Sequence, residues 1–197
     1  LWRHPVLSTL GVLHGVFNLA ATAAVATFVL VAQEELGVDG AGFGVLLAAG
    51  AGGALLGSLV AERLNRRLGT SATILGSGIG FGLTSLAIAP LSSPVAVGAM
   101  LAVNGVLVVL WNVVTVSLRQ AIIPDELLGR VNSVYRFLGW GAIPVGGAIG
   151  GVVASAFGLR APWWFAGGLT LVAVVVAAPQ LTRARIDAAR AAAPARG

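Results

Sequence analysis

The chain has 197 residues, of which 57% are apolar and only 10% are charged, and its mean hydropathy is +0.95. Soluble domains carry about 25% charged residues and keep a polar face on each surface helix, so this composition excludes a soluble globule. The net charge of +5 comes from arginine alone, spread among apolar runs, which argues against a nucleic-acid-binding face. The absence of cysteine excludes a disulfide framework and cysteine-ligated zinc.

Six apolar runs are each long enough to cross the hydrocarbon core, which takes roughly 20 helical residues. Backbone polar groups find no water in lipid, so these runs must be helices. The sequence therefore predicts an all-α membrane protein with six transmembrane helices, at about residues 5–32, 41–62, 70–90, 94–118, 132–157 and 161–180. The basic tail, 182–197, is expected either to form a short surface helix or to be disordered. The first run is too long for a signal peptide, and Leu1 in place of Met indicates a piece of a longer or processed chain.

The arginines lie almost entirely on one side of the membrane that these runs define. Eleven of the 12 basic residues fall on that side: Arg3, Arg63, Arg66, Arg67, Arg119, Arg130, Arg136, Arg183, Arg185, Arg190 and Arg196. Only Arg160 lies in a link on the other side, where the first link carries Glu34, Glu35 and Asp39. Basic residues are retained on the cytoplasmic face during insertion, so we expect a multi-pass protein of the cell (cytoplasmic) membrane with both termini cytoplasmic.

Two stripes of polar side chains are candidates for lining a substrate cavity. The first run carries His14, Asn18 and Thr22 at a spacing of four, and the fourth carries Asn104, Trp111, Asn112 and Thr115. Polar side chains inside a membrane turn away from lipid, toward a cavity or toward another helix. The alternative is that they only make hydrogen bonds between helices. Tyr135, Trp163 and Trp164 are expected at the membrane interface.

Glycine is concentrated in the second, third and fifth runs. Gly53/Gly57, Gly76/Gly80 and Gly147/Gly151 are spaced by four, which places two small residues on one helix face and permits close backbone approach. In the fifth run we expect one set of residues to serve helix packing or a rocking motion: Gly141, Pro144, Gly146, Gly147, Gly150 and Gly151.

Charged residues after the second and fourth runs form a candidate cytoplasmic gate. Its members are Glu62, Arg63, Arg66, Arg67, Asp125 and Arg130. Ion pairs that must break on opening would bias a two-state equilibrium. The alternative is a topology anchor within a solvated run of charges, since exposed ion pairs contribute only about 0–1 kcal/mol.

Two segments resemble the major facilitator superfamily. Ser58-Leu-Val-Ala-Glu-Arg-Leu-Asn-Arg-Arg67 is similar to its loop signature G-x-x-x-D-R-x-G-R-R, with Glu62 in place of the acid and Ser58 and Asn65 in place of the glycines. Residues 119–136 and 137–151 resemble the link and fifth helix of the C-terminal half in its enterobactin-exporter-like branch, also called transmembrane secretion effectors. The Gly/Pro run from Gly141 to Gly151 is similar to the antiporter Gly-Pro motif.

The resemblance implies one half of a twelve-helix bundle, with the substrate bound between two six-helix halves and access alternating as they rock. In that family the first and fourth helices of each half line the central cavity. The implied partners are a small-molecule substrate, the lipid bilayer and an N-terminal six-helix half, supplied either by the same polypeptide upstream or by a second chain. Efflux of a small lipophilic or siderophore-like compound is the implied activity.

Neither a cofactor nor a metal is expected. The chain lacks a phosphate-binding Gly-x-x-x-x-Gly-Lys-Ser/Thr motif, and two histidines without intramembrane carboxylates do not make a metal site. Proton coupling ordinarily needs an ionisable intramembrane group, and His14 is the candidate here unless that group lies in the other half or no proton moves. The alternatives are a non-transporting or degenerate membrane subunit and, less favoured because a Gly-x-Ser-x-Gly elbow is absent, an intramembrane hydrolase.

Overall fold

The computed structural model describes residues 4–193, and this part of the chain is helical and has no strand. The helices are α1 (Pro5–Val25), α2 (Gly40–Leu68), α3 (Thr70–Ile88), α4 (Pro94–Ile122), α5 (Asp125–Phe157), α6 (Ala161–Ala177) and α7 (Arg183–Ala191). Six helical segments of the described residues are long and apolar enough to span a membrane, which confirms the predicted all-α membrane fold. Arg3 and Arg196 lie outside the described residues.

α1 continues, after a break, into a longer first span. A helical turn, Phe28–Leu30, and a π-helical turn, Val31–Glu35, extend it to Glu35. At the break, the Thr27 hydroxyl donates a hydrogen bond to the carbonyl oxygen of Leu159 (3.1 Å), in the link between α5 and α6. This bond ties the interrupted end of the first span to the link between the two helices, α5 and α6, on which α1 packs.

The helices extend farther than their apolar runs at the end of the bundle that carries Arg63, Arg67 and Arg130, which we call the basic end. α2 ends at Leu68 rather than near residue 62, and α5 begins at Asp125 rather than near 132. A span predicted from hydropathy ends at the first charged residue. However, positive charges stabilise the C-terminal end of a helix and negative charges its N-terminal end, and α2 has arginines in its last turn while α5 has acidic residues in its first turn. The candidate gate residues therefore lie on helices rather than in links.

α2 packs closely on α4. A Cβ atom on Gly53 would overlap the carbonyl oxygen of Ala102, and one on Gly57 would lie 2.9 Å from the Cα atom of Val106. A larger side chain at either position would push the two backbones apart. Gly53 and Gly57 thus form a glycine seam between α2 and α4.

A second glycine seam joins α1 and α5. Cβ atoms on Gly146 and Gly150 would overlap the carbonyl oxygens of Leu19 and Ala23. Gly147 faces only Thr22 at 3.9 Å, and neither Gly141 nor Gly151 has an atom within 4 Å of its added Cβ. The close contacts to α1 are therefore made by Gly146 and Gly150 and not by the Gly147/Gly151 pair. Successive residues on a helix point about 100° apart, so Gly147 and Gly151 point to one side of this contact.

α3 and α6 lie behind α1 and α4 and complete two buried clusters. One cluster, toward the basic end, includes Leu10, Leu118 and Tyr135, and α7 joins it through Ile186 and Ala189. The tail segment Arg183–Ala191 is therefore a docked helix. Tyr135 is 3% exposed and donates its hydroxyl hydrogen to the Leu7 carbonyl oxygen (2.6 Å), so the expected interface position is wrong.

The other cluster lies toward the opposite end and contains Phe28 and Trp163. The two rings meet edge to face, with centroids 5.6 Å apart. Trp163 is buried whereas its neighbour Trp164 is half exposed, so an interface position is wrong for Trp163. The sequence presents both tryptophans alike; the register of α6 separates them.

Arg160, the exception to the charge asymmetry, is tied to its surroundings. Its guanidinium forms an ion pair with Glu35 and donates hydrogen bonds to the carbonyl oxygens of Ala89 and Leu91. Both carbonyls lie just after the C-terminal end of α3, where the carbonyl oxygens of a helix have no hydrogen-bond donor within it. Arg160 therefore joins the ends of the first span and α3 to the start of α6.

We expect Arg160→Gln to lower the free energy of unfolding by about 1–3 kcal/mol, because a charged donor is lost from part-buried carbonyls. Glu35→Gln removes the ion pair alone and should have a smaller effect. Thermal unfolding of the purified protein in detergent measures both. Glu34→Gln is the matched control, and an Arg160→Gln protein no less stable than this control would contradict the assignment.

Candidate substrate cavity

A cavity of about 120 Å³ lies between α1 and α4, with α3 behind it. Its lining consists of apolar and aromatic side chains with an imidazole, a hydroxyl and two amides: His14, Phe17, Asn18, Ala21, Ser77, Phe81, Leu107, Val108, Trp111 and Asn112. Both wall helices contribute residues at spacings of three and four, which is one face of each helix. The cavity therefore brings together four of the predicted site residues: His14, Asn18, Trp111 and Asn112.

Three aromatic rings form the inner wall of the cavity. The rings of Phe17 and Trp111 meet with centroids 4.3 Å apart, and Phe17 stacks on Phe81 at 5.9 Å. These contacts link α1, α4 and α3 around one ring. Trp111 is 4% exposed, and its indole nitrogen has no acceptor among the described residues.

The two amides keep hydrogen-bonding capacity for a ligand. Asn18 donates to the carbonyl oxygen of His14 (2.8 Å), and Asn112 donates to that of Val108 (2.9 Å). Each bond uses one amide hydrogen and a carbonyl four residues earlier, the usual way a polar side chain is satisfied inside a helix. Each amide retains an oxygen acceptor and a second hydrogen. The cavity is therefore apolar with a few polar atoms and has no charged side chain in its lining.

The other three predicted cavity residues are outside the lining. Thr22 and Thr115 donate to carbonyl oxygens of their own helices, those of Asn18 (2.8 Å) and Trp111 (2.7 Å). Asn104 donates to the hydroxyl of Thr84 (3.0 Å) and so joins α4 to α3. Asn104 therefore makes a hydrogen bond between helices, the alternative to lining a cavity.

Arg119 and Tyr135 lie between the cavity and the basic end, and the sequence analysis did not single them out as site residues. The Arg119 guanidinium stacks over the Tyr135 ring at 4.0 Å, and the Tyr135 ring lies 6.1 Å from that of His14. The Arg119 Nε atom is buried without an acceptor among the described residues. A signal was present: Asn112, Thr115 and Arg119 follow one another at spacings of three and four.

His14 also contacts α5. A Cβ atom on Gly139 would lie 2.6 Å from the His14 Nε2 atom, so a larger residue there would require the imidazole to shift. Gly139 was not among the residues selected from the sequence. Its role is visible only once α1 and α5 are paired in register.

The candidate gate residues show one ion pair, between Glu62 and Arg66 of α2. Both side chains are more than half exposed, and the pair spans one helical turn, so it contributes little stability. Within the described residues, no ion pair links Arg63 or Arg67 of α2 to Asp125 of α5, and none links Glu62 to Arg130. The end of α2 and the start of α5 thus both carry charges at the basic end, with no ion pair between them among the described residues.

The described residues contain no group of three or more metal-binding side chains. The cavity offers noncovalent contacts, with aromatic surfaces and amides around a space that no Asp, Glu, Lys or Arg lines.

Residues 6–195 match the sequence profile described as transmembrane secretion effector. The match covers nearly the whole chain. The chain belongs to the transmembrane secretion effector family, within the major facilitator superfamily. It has no significant match among curated proteins. As a member of this family it is a membrane transport protein, and the six predicted spans and the resemblance of residues 58–67 and 119–151 are consistent with one another.

Proposed function

We propose that this transmembrane secretion effector chain is the C-terminal half of a secondary active transporter that exports a small lipophilic compound by alternating access. The cavity between α1 and α4 is the observation that carries the proposal. A siderophore-like compound, which combines aromatic rings with hydrogen-bonding groups, fits the same lining chemistry. The chain's role is binding and movement rather than catalysis.

The size of the cavity supports a site completed by a second half. About 120 Å³ is smaller than the roughly 300–1,000 Å³ of sites that enclose small molecules. A second half that faces this cavity would add its own lining residues and the space between the two halves. An isolated half would leave its polar and aromatic groups only partly used.

The outer faces of α2 and α5 support the same arrangement. Gly44, Gly52, Gly141 and Gly151 have no atom within 4 Å of an added Cβ, and Leu55 on α2 is 63% exposed. Small residues on an exposed membrane helix permit close approach by another helix. We infer that these faces meet the N-terminal six-helix half, supplied by the same polypeptide or by a second chain.

The same partner gives the candidate gate its role. Asp125 and Arg130 on α5, and Arg63 and Arg67 on α2, have no ion-pair partner within the described residues. Pairing with charges of the other half would close the basic end, and loss of those pairs would open it. The basic end is then the cytoplasmic end, in keeping with the positive-inside rule.

The transport function is tested by efflux from cells that express the full-length protein. Trp111→Ala should lower the efflux rate by about two- to twelvefold, since loss of an aromatic contact is worth about 0.5–1.5 kcal/mol. Retention of a panel of fluorescent lipophilic compounds and of a catecholate iron chelator provides the measurement.

The matched control is Trp164→Ala, which truncates a half-exposed tryptophan away from the cavity and should leave efflux unchanged. Equal losses in both variants would assign the effect to insertion rather than to the cavity. Absence of efflux of every compound by the inserted wild-type protein would instead support a non-transporting subunit.

We infer that His14 takes part in proton coupling. An imidazole ordinarily titrates near pH 6.5, and this one lies at the cavity with Arg119 and Tyr135 as its ionisable neighbours. Wild-type efflux should change with pH, and His14→Gln, which keeps a hydrogen-bonding side chain, should flatten this dependence. Identical pH profiles for the two proteins in vesicles would exclude His14 as the coupling group.

The proposed orientation can be tested with single cysteines, because this chain has none of its own. Ser92→Cys lies in the exposed link before α4, and Ala184→Cys lies on the exposed face of α7 at the basic end. In full-length protein free of other cysteines, an impermeant maleimide should label Ser92→Cys on intact cells and Ala184→Cys only after permeabilisation. The reverse pattern would overturn the orientation.

A further inference from the structure

A second cavity of about 630 Å³ lies at the basic end, where α2 finishes, α3 begins and α7 docks. The chain turns from α2 to α3 at Gly69, whose φ of 83° lies in the left-handed region that favours glycine. α7 closes the other side, held by the buried Ile186. The cavity is separate from the one between α1 and α4.

Arginine dominates its charge. Arg66, Arg67, Arg183 and Arg190 line the cavity, and Asp187 is the only acidic residue in the lining. Arg190 is held in place by a hydrogen bond to the Thr70 hydroxyl (2.8 Å). Arg183 and Asp187 are 3.7 Å apart with exposed side chains, a separation and exposure at which an ion pair is weak. Arg66 pairs with the exposed Glu62, so Arg67 and Arg183 are the guanidinium groups of this cavity without a strong acceptor among the described residues.

The first turn of α3 adds backbone donors to the same space. Thr70, Ser71 and Ala72 line the cavity, and no side chain caps this helix. The first N–H groups of a helix have no acceptor within it, and its N-terminal end carries partial positive charge. Together with the arginines, they give the cavity the donor set of an anion site.

Asn65 provides an independent indication of a bound molecule. The residue lines the cavity, its amide oxygen is buried, and no described residue donates a hydrogen bond to this oxygen. A buried acceptor without a partner costs about 1–3 kcal/mol. A ligand that carries a hydroxyl or amine hydrogen next to its anionic group would satisfy this oxygen.

The cavity opens where the membrane-spanning part of the bundle ends. Leu75 of α3 lines it, and Leu68 at the end of α2 is 56% exposed. Polar donors at a membrane edge beside exposed apolar side chains match a molecule with a charged head and acyl chains.

We propose that this arginine-lined cavity binds the phosphate of an anionic phospholipid whose headgroup carries a hydroxyl, as in phosphatidylglycerol. The phosphate lies among the arginines and the N-terminus of α3, the headgroup hydroxyl donates to Asn65, and the acyl chains follow the exposed apolar side chains. Bound lipid thereby joins α7 to the α2–α3 turn.

Binding of dioctanoyl phosphatidylglycerol to the delipidated, detergent-purified full-length protein tests the proposal. Phosphatidylcholine of the same chain length should bind at least tenfold more weakly. The exposed Arg67 and Arg183 can be replaced without opening the core, so Arg67→Gln/Arg183→Gln should fold and should weaken binding by about 25-fold, about fivefold for each arginine. Unfolding midpoints verify that the variants are folded.

Arg185→Gln is the matched control, since Arg185 lies on the same helix but outside this cavity. Its affinity should equal that of the wild type; an equal loss in the control would reduce the effect to general surface charge and overturn the site. Inorganic phosphate distinguishes the two sources of the anion. If it binds as tightly as the lipid and shows the same dependence on the arginines, the ligand is a free phosphate and the lipid assignment is wrong.

Discussion

Close backbone contact at glycine is the constraint on which the rest of this bundle depends. Between lipid-exposed helices the hydrophobic effect gives no net drive for association, because lipid tails are as apolar as leucine. What remains is van der Waals packing, and it is greatest where a carbonyl of one helix sits directly over a glycine of the next, as Leu19 does over Gly146 and Ala102 over Gly53. These seams fix the α1–α5 and α2–α4 pairs and so set the width of the cleft between α1 and α4.

The seams also determine where motion is allowed. Overlap at Gly146 and Gly53 would follow from even one added methyl group, so these are interlocked contacts and not sliding surfaces. The open glycines, such as Gly141 and Gly151, lie on other faces of the same helices. If the chain rocks against a second half, each seam is expected to move as a rigid pair, with displacement at the open faces.

The sequence was sufficient for the six spans, because an uninterrupted apolar run of roughly 20 residues has few other solutions in lipid. It was not sufficient for the helix ends. By hydropathy, the second span ends where the charged residues Glu62 and Arg66 begin. In the structure these two residues lie one helical turn apart and form an ion pair, and α2 extends to Leu68. The same limit applies at Asp125, where acidic residues start a helix that hydropathy places seven residues later.

The cavity was predictable where the polar stripe and the helix pairing agree. His14 and Asn18 were found because a spacing of four on an apolar helix singles out one face, and that face meets the cavity. Asn104 also lies on a polar stripe, yet it bonds to Thr84. The spacing of polar residues predicts which face of a helix they share, but it does not predict which helix that face will contact. Tyr135 was missed for the complementary reason: its hydroxyl finds Leu7, 128 positions away along the chain, and no local pattern carries that contact.

The ion pair of Arg160 changes how this residue counts in the distribution of charge across the membrane. Counted with the other arginines it breaks the positive-inside pattern, but its pairing with Glu35 makes it a member of a neutral ion pair on that side. Its remaining donors go to the carbonyls after α3, so it also serves as a helix cap. Once Arg160 is counted as neutralised by Glu35, the excess of positive charge lies at the basic end. The basic end is therefore the part of the bundle whose charge is available for lipid or for a second half.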